Sequence, residues 1–120
     1  MDVVRSKDVK PHGLKMVGGV AIEGERESRM VLAGERVQLM ELRLNKGFYH
    51  PRHHHPEHES IGYLISGRLQ MMIDDQEYVL EPGDGWRHRV GVFHSTRALE
   101  DSVAVEIHSP PRQEFLARSD

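Results

Sequence analysis

Short segments in which residues sort onto alternate faces, punctuated by glycine-rich turns, read as strands rather than helices. In Arg36–Leu44, residues Gln38, Met40, Leu42 and Leu44 fall on one face, and Val37 and Leu39 share the other with Glu41 and Arg43. Both faces of that strand are therefore expected to be partly covered. Ser60–Ser66 predicts a strand, Gly67-Arg68 a turn, Leu69–Ile73 a strand, Asp74-Asp75 a turn and Glu77–Leu80 the return, together a hairpin meander. Glu81-Pro82-Gly83-Asp84-Gly85 is a strong turn signal and Val90-Gly91-Val92 a weaker one. The last clear strand is Ser102–His108, with Val103, Val105 and Ile107 on one face and Ala104, Glu106 and His108 on the other. Only Glu23–Val31 and Gln113–Arg118 are helix candidates. The first is charged without an apolar stripe, and the second is short and follows Pro110-Pro111. Roughly eight or more short strands in a small chain predict an all-β closed barrel or two-sheet sandwich, which leaves room for a small lumen.

The chain has 120 residues, enough for one domain over 1–120, with its core expected at about 30–110. A formal net charge of -3 gives no basic excess for nucleic acid. No apolar run approaches the roughly 20 residues that cross a bilayer. Met1–Val9 carries charges where a signal peptide would be apolar, so a cytoplasmic protein is expected. Without cysteine, a disulfide scaffold, a zinc finger and a thiol nucleophile are excluded.

Histidine is the outlier: there are nine, and five lie between His50 and His58. In an extended chain His53 and His55 point the same way and His54 points away. Two imidazoles so spaced can chelate one cation, and a third ligand must come from elsewhere. His94, after the turn at Gly91-Val92-Phe93, is the natural candidate. Met40, Met71, Met72 and Trp86 are expected to pack in the core. Gly62 either leaves space for a ligand or serves packing.

These residues carry a resemblance to the cupin superfamily. Its first motif sets a Gly before a spaced His-x-His, then an acid or amide, then a closing Gly. Here these are Gly47, His53-His54-His55 and Gly67. Its second motif is matched by Pro82-Gly83-Asp84 and Gly91-Val92-Phe93-His94. The resemblance implies a cupin jelly-roll β-barrel holding one divalent metal ion: zinc, nickel, iron and manganese all suit the His ligands. For the fourth ligand, spacing from His55 points to Glu59 and spacing back from Gly67 points to Ser60. Strand parity admits only one of them to the lumen, and the register of Ser60–Ser66 favours Ser60, with water in the open position.

A narrower resemblance covers Ala98–Leu116, which is similar to the tail of the cupins of pectin and alginate breakdown. Those proteins convert unsaturated monouronates to a linear keto form. The resemblance implies an acid/base role for Glu106 and a substrate-carboxylate role for Arg112. That family has Asp at the position of Glu106 and an aromatic at that of His108. From the residues themselves, Glu106 and His108 share a strand face and form a workable acid/base pair, and the Arg112 fork suits a carboxylate. The leading expectation is a metal-dependent cupin enzyme acting on a small carbohydrate-derived acid by proton transfer. The alternatives are a metal-dependent dioxygenase and a non-enzymatic module that binds a small ligand. No nucleic-acid or membrane partner is expected. A homodimer is, because small cupins commonly pair and several strands are apolar on both faces.

Overall fold

The computed structural model describes residues 2–13, 15–17 and 19–112. A single 3-10 turn, Ser6–Asp8, precedes eleven strands. They are β1 (Met16–Val17), β2 (Val20–Ala21), β3 (Arg26–Ala33), β4 (Gln38–Leu44), β5 (Tyr49–His53), β6 (Glu59–Ser66), β7 (Leu69–Ile73), β8 (Gln76–Leu80), β9 (Gly85–His88), β10 (His94–Ala98) and β11 (Ser102–Ser109). β1 and β2 form a small hairpin. A four-stranded sheet runs β5-β10-β7-β8, and a five-stranded sheet runs β3-β4-β11-β6-β9. Every pairing is antiparallel. The two larger sheets share one core, with Met40, Leu42 and Leu64 from one and Leu69, Met71 and Ala98 from the other, so the architecture is the expected jelly roll.

Strand β4 shows why alternation works. Gln38, Met40, Leu42 and Leu44 are buried, and the residues between them are half-buried or exposed. The strands β6, β7 and β8 lie where their pattern put them, but only β7 and β8 form a hairpin: the chain crosses from the five-stranded to the four-stranded sheet between β6 and β7, so the expected meander is not formed. Gly67 makes the β6–β7 turn possible: its φ is +94°, and a Cβ there would overlap Ser102 Oγ and the Asp101 carbonyl.

The helix candidate Glu23–Val31 is not helical: strand β3 runs over Arg26–Ala33 and pairs with β4. Its inward positions near the start are Arg26 and Ser28, so no apolar alternation marks it. The other helix candidate, Gln113–Arg118, lies outside the described residues.

The interior of the five-stranded sheet changes from apolar to polar in three successive rungs. The first is Leu42, Ala104 and Leu64; the second is Met40, Glu106, Gly62 and Trp86; the third is Gln38, His108, Ser60 and His88. Trp86 lies across Gly62, where a Cβ would overlap its indole ring. The space left by Gly62 is thus filled by packing. The polar rungs open into a cavity between the sheets.

Candidate metal centre

Strands β5 and β10 set His53 and His94 opposite each other as Cα partners. Between this pair and the next, Thr96 with His50, β5 holds one more residue than β10. This bulge falls at Pro51-Arg52, in an edge strand, where a proline without N–H is tolerated. It reverses the parity of β5, so His50 and His53, three residues apart, both turn inward and stack with centroids 3.5 Å apart. His55 lies beyond the strand end and is also buried, whereas His54 is only half-buried and meets Phe93.

One donor atom from each of His53, His55 and His94 lies within 4.8 Å of the others. Each ring is buried. His53 Nδ1–H donates to the Pro51 carbonyl at 2.7 Å, and His94 Nδ1–H donates to the Val92 carbonyl at 3.2 Å. A carbonyl can only accept, so both tautomers are set and each Nε2 keeps its lone pair. Burial lowers His53 and His94 to about 4, and it pushes His55 well below the ordinary range, with Arg112 adding to the effect. All three rings are therefore neutral near pH 7, as a ligand must be. Donor set, tautomers and protonation fit one metal ion.

Ser60 is buried and lines the same cavity, while Glu59 at the strand start is exposed and does not join the cluster. Glu106 also reaches the cavity. It accepts from His108 Nε2 at 3.2 Å. Burial pushes the Glu106 carboxyl up, but the His108 hydrogen bond, reinforced by the Arg26 charge, outweighs this and holds it well below the usual carboxylate range. Gln38 Oε1 takes the Arg112 backbone N–H at 2.9 Å and faces His108 Nδ1 at 3.4 Å. That contact joins the segment after Pro110-Pro111 to the polar rung. Arg112 is buried and lines both the cavity and a second pocket beside His55 and His58.

The structure adds residues that alternation did not single out. His88 stacks on His94 with centroids 3.6 Å apart and planes 4° apart, linking the two sheets. His58 packs against His55 at 4.4 Å and His108 at 5.5 Å. His50 Nε2–H donates to the Val17 carbonyl at 2.8 Å, which ties that ring to β1. Arg26 enters from β3. The unusual histidine count was the available signal for the three rings. Arg26 gave none, because it sat in a stretch with no readable period.

Residues 40–109 match the family described as Cupin domain, and the chain belongs to that family. It is 25% identical over 89 residues to the pectin degradation protein KdgF of Dickeya dadantii (strain 3937), covering 73% of this chain and 81% of that protein. Among solved structures, KdgF from Halomonas sp. superposes with a TM-score of 0.82 at 20% identity, over 96% of this chain and 98% of that one. An RmlC-like cupin from Shewanella frigidimarina NCIMB 400 gives a TM-score of 0.81 at 18% identity, over 96% of each chain.

Proposed function

We propose that this chain is a metal-dependent cupin enzyme that converts unsaturated monouronates to their linear keto form by proton transfer. The observation that carries the reading is the Glu106–His108 pair, joined at 3.2 Å, in the same cavity as the converging His53, His55 and His94 donors. The similarity to a pectin degradation protein supports the choice of substrate class.

The reaction is an isomerisation, so it needs no oxidant or reductant. A proton leaves the anomeric hydroxyl as the ring C–O bond breaks. The enol so released takes a proton on carbon and becomes a ketone. One group must accept a proton and one must donate. Glu106, ionised in the resting site, takes the proton at Oε1. His108 Nε2–H holds that carboxylate in place and shares the proton afterwards. Arg112 binds the substrate carboxylate with its planar fork. His53, His55 and His94 would hold the metal, and Ser60 lines the same cavity. A divalent ion there supplies Lewis-acid polarisation of a substrate oxygen.

The test is elemental analysis of protein purified without added metal, followed by incubation with unsaturated monouronates. Loss of the ultraviolet absorbance of the conjugated double bond, dependent on metal, is expected. Absence of turnover with every divalent metal tried, or oxygen uptake with iron alone, would reject the reading.

A further inference from the structure

Besides histidines, three ionisable side chains line the cavity among the described residues: Arg26, Glu106 and Arg112. Two are cations and one is an anion. A guanidinium nitrogen buried without a hydrogen-bond partner is costly unless an acceptor completes it. Arg26 is such a group: it lines the cavity and its Nε is buried with no hydrogen-bond partner.

Its backbone is firmly placed. Glu23 and Tyr49 exchange two hydrogen bonds of 2.9 and 2.8 Å, and Asn45 N–H donates to the Glu25 carbonyl at 3.1 Å. Gly24 packs so closely on the Phe48 backbone that a Cβ would lie 2.9 Å from its Cα, at a φ of +84°. These contacts launch β3 with Arg26 directed inward. Arg26 approaches on the His50 side, where its charge is felt. Arg112 arrives from beyond β11 and acts on His55 and His58. The two guanidiniums thus flank the histidine cluster from different walls.

We infer that Arg26 is a second anion-binding residue of the cavity, which with Arg112 makes the site selective for a sugar acid over the corresponding neutral sugar. The inference rests on the reading of the site as one for small sugar acids. Arg26 is then a specificity-determining residue that touches the ligand directly. An Arg that merely balanced Glu106 would affect charged and neutral ligands alike.

The test uses D-galacturonate and D-galactose, saturated sugars that cannot undergo the proposed reaction, titrated calorimetrically into metal-loaded protein. Wild type is expected to prefer the acid. Arg26→Gln should weaken galacturonate binding about ten-fold or more and leave galactose within about two-fold. Arg26→Lys keeps the charge but loses the fork, and should fall between. The inference is overturned if wild type shows no preference for the acid. It is also overturned if Arg26→Gln binds galacturonate as well as wild type, or loses both sugars equally. Should Arg26→Gln not fold, undiminished galacturonate affinity in Arg26→Lys overturns it. Arg26-dependent preference without turnover of unsaturated uronates would retain the inference and reject the proposed reaction. Turnover with an unchanged KM in Arg26→Gln would do the reverse.

Discussion

His53 and His94 are direct cross-strand partners of β5 and β10, with ring centroids 4.2 Å apart, although forty-one positions separate them in the chain. One ladder rung thereby brings together the two histidine motifs. The third donor, His55, follows from the short extension beyond β5. Loss of one partner should empty the site. In His94→Ala, bound metal is expected to fall from about one ion per chain to near zero, read by elemental analysis of the purified variant. A variant that keeps a full equivalent would remove His94 from the ligand set.

Glu106 is tied to His108 and is not in the three-histidine cluster. Glu106→Gln preserves the side-chain volume but cannot take up a proton. Metal content should stay at the wild-type level while kcat drops about a hundred-fold or more. Undiminished turnover would take Glu106 out of the proposed chemistry.

The buried imidazoles make stability depend on pH. An unfolded histidine titrates near 6.5, whereas burial lowers His50 and His88 to about 3 and His58 to about 4. Below about pH 6.5 the unfolded chain therefore binds protons that the folded chain refuses, and stability falls with falling pH. Above that point the contribution is complete and flat. Each group should cost about 2 kcal/mol at pH 5. The metal-free protein is thus expected to melt well below its pH 7.5 temperature when scanned at pH 5. A flat or rising profile would contradict the burial assigned to these rings.

Gly62 and Trp86 are Cα partners across β6 and β9, and the indole occupies the space above the glycine. Gly62→Ala should destabilise the fold by about 1–3 kcal/mol through overpacking. Chemical denaturation would measure it, and a midpoint equal to wild type would show that the indole has room to move.

The outer face of β6 exposes Ile61, Tyr63 and Ile65, each at least half accessible. Such a patch is a reasonable seat for the homodimer proposed for this chain. Sedimentation should give about twice the 13.8 kDa chain mass. Ile61→Asp should shift it to one chain. A single-chain mass for wild type at micromolar concentration would rule the dimer out.

Alternation located β4 and β7, whose inward residues are mostly apolar, and also β6 and β11, whose apolar residues Ile61, Tyr63 and Ile65 and Val103, Val105 and Ile107 face outward instead. It failed at β3, where Arg26 and Ser28 face inward. It also failed at β9 and β10, which set His88 and His94 against the cavity. A strand lining a polar site loses the contrast on which a period-two reading depends. The same reason hid His50, whose inward turn follows from a bulge that no spacing rule anticipates.

By itself the sequence determined an all-β chain, the like orientation of His53 and His55, and the pairing of Glu106 with His108 on one strand face. These are local properties, set by the two-residue repeat of an extended backbone. Tertiary structure alone decided which wall Arg26 joins, that a bulge turns His50 inward beside His53, and that His88 stacks on His94 across the sheets. Those relations depend on how separate strands register and close upon one another, and that closure is a product of the whole packed core.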